Sequence, residues 1–185
     1  MGDNVSDKFI KSKSSTIYRL LHPQMTVLVA CQDDDVQNVM AASWCMPVSF
    51  DPPMVAVSIS PRRFSYSIIS KTGEFTVNIP SKELLEAVKY CGSVSGRDIR
   101  NKIEKAGLTI LNSEKVKAPL IAECVAAVEC KVVKAVEAGD HVVFIGKIVS
   151  VHVKRGYFNE TYTEIFKPIL HMGSDLYYTI GDRIE

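Results

Sequence analysis

The sequence predicts a mainly β protein, an antiparallel barrel interrupted by short helices. Three observations lead there. Strand-like segments dominate the chain. The two longest, at 121–133 and 141–153, flank a Gly139-Asp140 turn and read as a hairpin. Nowhere do strand and helix patterns alternate as a parallel sheet would require.

The elements follow in order. Residues 25–31 (MTVLVAC) are apolar and β-branched, and they run into an acidic turn at Asp33, Asp34 and Asp35. Asp51-Pro52-Pro53 opens a strand over 54–60 (MVAVSIS), because proline lacks the ladder donor and sits best at a strand entrance. A strand over 74–79 (EFTVNI) follows Gly73. Residues 121–133 alternate: Ala122, Cys124, Ala126, Val128 and Cys130 make a small apolar face, while Glu123, Glu129 and Lys131 make a wetter one. On that pattern Cys124 and Cys130 share a face and fill the core. The run 141–153 (HVVFIGKIVSVHV) reads as a heavily buried strand, with Gly146 marking a bend or bulge.

Three short helices interrupt the strands. The first covers 64–71 and ends at Gly73. The second is N-capped by Ser81, carries Glu83 in its first turn, buries Leu84, Leu85 and Val88, and stops at Gly92. The third is capped by Asp98 and runs through Ala106, with Ile99, Ile103 and Ala106 at helical spacing and Gly107 at its end.

A chain of 185 residues accommodates one domain, expected over 17–185 behind a flexible leader at 1–16. Gly2 and Ser6 match the short myristoylation pattern, and the leader is the reading preferred. The net charge is +1 with no long basic run, which argues against nucleic acid as a partner. No stretch approaches 18 apolar residues, so no membrane span is expected. Five irregularly spaced cysteines with no Cys-x-x-Cys pair fit a reducing, cytoplasmic setting.

Most catalytic signatures are missing: no nucleophile elbow, P-loop, zincin motif or dinucleotide fingerprint. The four histidines, His22, His141, His152 and His171, are scattered, so no metal site is expected. The block from Asn38 to Ser67 carries what chemistry there is. A phosphate needs a cation with hydroxyls or free amides, and Ser58, Arg62, Ser65 and Tyr66 gather at a strand-to-helix transition. A flat heterocycle needs neutral donors and an apolar wall, and Ala42, Ser43, Trp44 and Cys45 offer amides, a hydroxyl and an aromatic face. The plain alternatives stand beside these: Arg62 and Arg63 as a solvated surface pair, Trp44 as core.

Eight segments in order carry a resemblance, from about residue 22 to the C-terminus. They are His22-Pro23 before MTVLVA; Asn38-x-x-x-Ala42-Ser43-Trp44; the run from Ser49 through Asp51-Pro52-Pro53 to Ile59; and Gly73 with EFTVNI and Pro80. Then come Ser95-Gly96-Arg97-Asp98 with Lys102, Pro119 to Cys124, Gly139-Asp140-His141 to Gly146, and Pro168-Ile169-x-His171-x-Gly173 with Tyr177. Together they resemble the flavin reductase-like family, in particular the branch with flavoredoxin and archaeal FMN-binding proteins.

The resemblance implies a six-stranded antiparallel FMN-binding split β-barrel with short helical insertions, dimeric, holding FMN near the subunit interface. By position, Ala42, Ser43, Trp44 and Cys45 would line the flavin ring. Ser58, Ile59, Arg62 and Tyr66 would handle the phosphate and ribityl chain. Asn38, Arg97 and Lys102 would reach the flavin from a loop or the partner subunit. Arg97 follows Ser95-Gly96 in a loop from which a guanidinium reaches an anion. His141 resembles the histidine that lies near the nicotinamide in reductase members; a turn histidine hydrogen-bonded locally is the competing reading. Cys45 is read as core or pocket wall.

The implied function is NAD(P)H-dependent reduction of flavin, ferric iron or a partner protein, with NADH or NADPH as a transient electron donor. A non-enzymatic FMN electron carrier is the first rival. A split-barrel module for another cofactor, such as haem or a pyridoxal-type phosphate, is the second.

Overall fold

The computed structural model describes residues 15–181. The leader expected over 1–16, with Gly2 and Ser6, lies outside the described residues except for its last two positions. A 3₁₀ turn over Ile17–Leu21 leads into β1 (Gln24–Met25), β2 (Val27–Asp33), β3 (Val36–Ala42), β4 (Cys45–Phe50) and β5 (Pro53–Ile59). Then follow α1 (Phe64–Thr72), β6 (Glu74–Ile79), α2 (Leu85–Ser93), α3 (Lys102–Lys105), β7 (Ile110–Leu111) and β8 (Leu120–Ile121). The long β9 (Ala126–Ala138) and β10 (His141–Val153) precede the short β11 (Phe158–Asn159), β12 (Thr161–Tyr162), β13 (Leu170–Gly173) and β14 (Leu176–Tyr178).

The main sheet is antiparallel, in the order β3-β2-β6-β9-β10-β5-β4. Its two end strands, β3 and β4, are one stretch of chain broken only at Ser43 and Trp44. Counted as a single bent strand, they make the expected six-stranded split barrel. The bend is tied to β5 by the Ser58 amide, which donates to the Trp44 carbonyl at 2.9 Å.

The sheet is buried on both faces, and β2 shows how. Val27, Val29 and Cys31 point into the barrel with Val57, Phe75, Val77 and Phe144. Leu28 and Ala30 point the other way, onto Ala87, Val88 and Cys91 of α2. A strand with two buried faces must be continuously apolar, which is why MTVLVA lacks alternation. Each fully buried Val, Leu or Phe contributes roughly 1.5–3 kcal/mol, so these two clusters dominate the fold's stability.

Inside β6 the same geometry buries polar groups. Asn78 donates to the Leu28 carbonyl at 3.2 Å and accepts the Ile121 amide at 2.9 Å, while Thr76 donates to the Pro119 carbonyl at 2.6 Å. These bonds fasten the segment 119–121 to the sheet and leave no polar atom of Asn78 or Thr76 orphaned.

Four sequence expectations need correction. Glu129, assigned to the wetter face of its strand, is fully buried. Its carboxylate accepts the amides of Glu114, Lys115 and Val116 at 2.8, 2.6 and 3.1 Å and contacts His152 Nε2 at 2.7 Å. Cys124 and Cys130 are both core residues, but Cys124 precedes β9 and packs under α2 whereas Cys130 faces the barrel interior. Gly92 does not end its helix; α2 continues to Ser93, and the extended Val94 closes it by bonding Tyr90. The helix expected from Asp98 is only α3, because the Asp98 and Ile99 amides both turn back on the Ser95 carbonyl at 3.2 Å before helical geometry begins.

The expected irregularity at Gly146 is present as a register shift in the β9–β10 ladder. A Cβ there would lie 2.6 Å from Phe75 Cζ and 3.0 Å from Cys130 Cβ. Gly146→Ala should therefore cost roughly 1–3 kcal/mol in urea unfolding, since Phe75 is fully buried and has nowhere to move; an unchanged midpoint contradicts this packing.

Burial alone would raise the Glu129 pKa, but the amides of Glu114 and Lys115 and the His152 ring outweigh it and hold it below the ordinary carboxylate value. A carboxyl depressed in the folded state adds stability above its unfolded pKa of about 4.3, and this is lost as pH falls through the folded value. Glu129→Gln should cost roughly 2 kcal/mol or more at pH 7 and clearly less near pH 3. A penalty independent of pH in denaturation series would show that the charge is not what the loop reads.

Candidate functional site

The break between β3 and β4 opens the sheet at the point where β5 runs into α1. A cleft of ≈ 240 Å³ forms there, walled by Ala42, Ser43, Trp44, Ser58, Ile59, Arg63 and His141, with His171 and Tyr18 at its sides. Two further clefts adjoin it. A polar one of ≈ 560 Å³ shares Ser43, Arg63 and His171 and extends past Lys89, Ser93 and Tyr177. An apolar one of ≈ 370 Å³ shares Tyr18, His22, Trp44 and Ser58.

Trp44 is the aromatic wall the block analysis asked for. It stays 40% exposed, with Tyr18 edge-on at 5.8 Å and His141 tilted against it at 4.8 Å. His141 stands at the cleft rim, and its Nδ1 is bonded to Asp140 at 2.8 Å, so both readings of that histidine have a geometric basis. The His141 hydrogen bond, its charge and the more distant Arg62 hold the Asp140 carboxyl below its usual range.

Ser43 sits at the cleft floor in a short chain of hydrogen bonds. His171 Nε2 donates to the Ser174 carbonyl at 2.9 Å, so in a neutral ring Nδ1 accepts from the Ser43 hydroxyl at 3.3 Å. The Thr26 hydroxyl completes the chain, 3.2 Å from Ser43 Oγ. His22 supports the arrangement from behind, bonding the His171 carbonyl at 3.0 Å. Neither His22 nor His171 was singled out among candidate site residues, although both lie in segments that carry the family resemblance.

Where the cleft meets α1, the lining differs from the sequence expectation by one residue. Arg63, the N-cap of α1, lines both the first cleft and its polar extension and donates to the Gly92 carbonyl at 3.0 Å. Arg62 is absent from the walls of these clefts; its carbonyl accepts from Arg97 at 2.9 Å and its charge acts on Asp140 beside His141. Which of two adjacent arginines faces a cleft is decided by where the helix begins, a boundary composition does not locate. The first amides of α1 have no intrahelical partner, and the helix dipole adds partial positive charge there.

Of the remaining candidates, all but Cys45 stand outside the walls of these clefts. Asn38 and Ser65 are buried and bonded to each other at 2.7 Å, joining β3 to α1. Gly96 packs so tightly on Asn38 that a Cβ would come within 2.2 Å of its Oδ1. Lys102 is buried, donates to the Cys91 carbonyl at 2.8 Å, and has its pKa pulled down by desolvation. Arg97 lies over the Phe64 ring at 5.4 Å, and Tyr66 packs on Phe144 at 5.8 Å in the core. Cys45 lines the apolar cleft and packs against the barrel core, where burial pushes its thiol up to about 12 and keeps it protonated. Among the described residues no helix is long and apolar enough to cross a membrane.

The chemistry of this donor set fits a phosphorylated flat heterocycle: one arginine with helix-start amides on one side, hydroxyls and a tryptophan face on the other. Comparison with known proteins agrees. The model of the flavin reductase like domain matches residues 18–178. An uncharacterised protein of Archaeoglobus fulgidus is 42% identical over 180 residues, covering 95% of this chain and 99% of its own. An NADH-dependent flavin reductase of a Rhodococcus species is 27% identical over 146 residues, covering 78% and 77%. The structure of flavoredoxin from Desulfovibrio vulgaris (Miyazaki F) superposes with a TM-score of 0.84 at 30% identity, covering 96% of each chain. The chain belongs to the flavin reductase-like domain family.

Proposed function

We propose that this protein binds FMN in the cleft at the Ser43–Trp44 break and works as an NAD(P)H-dependent reductase, passing electrons on to a further acceptor. The observation that carries the reading is the convergence of Trp44, Ser43 and Arg63 on that one cleft. Flavin held there would supply the redox chemistry, hydride and electron transfer.

The chain's own residues have holding and shielding tasks. Arg63 and the first amides of α1 take the phosphate. Ser43 and Ser58 meet the polar edge of the ring, and Trp44 shields its flank from water. His171 sets which way the Ser43 hydroxyl points: with Nε2 donating to the Ser174 carbonyl, Nδ1 accepts the hydrogen bond from Ser43. No side chain needs to act as acid or base on the ring, in keeping with the missing catalytic motifs. His141, at the rim against Trp44, would meet the incoming nicotinamide.

The electron-carrier reading stays beside this one because of the 30% identity to flavoredoxin. A haem module fits less well, since His171 has both ring nitrogens engaged and His152 is bonded to buried Glu129. A homodimer belongs to the same proposal. Leu20, Met46 and Phe50 leave a wide apolar face around β4, which a second copy would cover.

Two measurements test the reading. Protein incubated with FMN and desalted should keep a flavin absorbance spectrum that bleaches when NADH is added under nitrogen. Bands that persist until dithionite is added move the protein to the carrier class, and no retained flavin ends the proposal. Arg63→Ala should raise the FMN dissociation constant at least about tenfold, since a charged hydrogen bond contributes roughly 1.5–3 kcal/mol. Arg62→Ala should change it far less, and the opposite order in titrations would hand the phosphate to Arg62.

A further inference from the structure

Two arginines stand beside the proposed FMN site without belonging to it. Arg62 and Arg97 are exposed, and they wall none of the three clefts. The chain holds both in place. The Arg63 amide donates to the Ser60 carbonyl at 2.9 Å, closing a turn with Pro61 and Arg62 at its corners. Arg97 Nη1 braces that turn through the Arg62 carbonyl at 2.9 Å, and its guanidinium lies over the Phe64 ring at 5.4 Å. The Arg97 loop is itself pinned. Its amide donates to Ser95 Oγ at 3.2 Å, and Gly96 packs against Asn38.

Neither guanidinium forms an ion pair among the described residues. Arg97 gives one N–H to the Arg62 carbonyl and keeps the rest of its donor fork. Two cations held by the backbone, with donors to spare, lose little freedom when an anion arrives.

Position narrows the anion. The charge of Arg62 acts on Asp140, whose carboxylate contacts His141 Nδ1 at 2.8 Å, and His141 leans on Trp44 at 4.8 Å. The pair therefore borders the cleft on its His141 side. An acidic protein surface fits poorly there, because Asp140 and Asp98, the residue after Arg97, would repel it. A diphosphate is narrow enough to pass between those carboxylates, and its two anionic groups match two guanidiniums.

We infer that Arg62 and Arg97 form a binding site for the diphosphate of the nicotinamide dinucleotide that serves as electron donor. The inference rests on the proposed function for the donor's role and extends it to residues outside the FMN cleft; the diphosphate binding is measured without any reaction.

The test titrates protein incubated with FMN and desalted with ADP-ribose, which carries the diphosphate but no nicotinamide, by calorimetry. ADP-ribose should bind, more weakly as salt rises, and adenosine and 2′-AMP should bind far less. Arg62→Ala leaves the carbonyl that Arg97 grips, and Arg97→Gln keeps an amide donor for it while removing the charge. Each variant should weaken ADP-ribose about five- to tenfold. In donor kinetics each should raise the KM for NADH by a similar factor with kcat little changed, since the diphosphate is held equally before and during hydride transfer.

No binding of ADP-ribose, or no effect of either variant, overturns the inference. So does 2′-AMP binding as tightly as ADP-ribose, or a fall in kcat at unchanged KM, which marks a structural role. Displacement of bound FMN by ADP-ribose also overturns it, because the diphosphate would then occupy the Arg63 cleft. The two readings fail separately. Protein that retains no FMN but loses ADP-ribose on Arg62→Ala keeps this site and ends the flavin reading, and FMN retention without ADP-ribose binding does the reverse.

Discussion

The structure depends on one bent stretch of chain. β3 must pair with β2 and β4 must pair with β5, yet only Ser43 and Trp44 separate them. Closing a small barrel with a strand that serves both edges forces the ladder to part at the bend. Parted strands leave polar backbone that neither neighbour can satisfy in full, and they leave space for something else. The candidate site is therefore a consequence of how the barrel closes rather than a pocket added to it. Ser58 bonding to Trp44 shows that β5 fixes the bend from one side, and α1 starts close enough for Arg63 to reach it.

Around the bend the protein uses polar residues in its interior as fasteners. Glu129 gathers three amides of the 114–116 loop, Asn78 holds Ile121, Lys102 holds Cys91, and Asn38 holds Ser65. Each satisfies groups that would otherwise be buried and unpaired, at a cost of roughly 1–3 kcal/mol each. This explains why Asn38, Gly96 and Lys102 stand in family-like segments while lying outside the cleft walls. They set where β3, α1 and the 95–97 loop meet, and so where Arg63 and Trp44 end up.

The three adjoining clefts divide the chemistry by polarity. Arg63, Ser93 and the Lys89–Asp175 pair make one end polar, while Leu21, Met46 and Val143 make the other end apolar. Trp44 stands between them with part of its surface in water.

Much of the fold is readable in the chain itself. β6 lies where EFTVNI places it, β9 and β10 turn at Gly139-Asp140, and Gly73 takes the left-handed conformation that ends α1. These are local matters of periodicity, turn chemistry and glycine's freedom at positive φ, all written within a few residues. Two short runs legible in the sequence, Ala42-Ser43-Trp44 and Ser58-Ile59, come together in one cleft. Tertiary structure alone decided the rest. His171 meets Ser43 across 128 positions of chain, Arg63 rather than Arg62 faces the cleft, and Glu129 is buried because a distant loop donates to it. Those facts depend on helix starts and long-range contacts, and nothing in the neighbouring sequence encodes the distance between groups that only folding brings together.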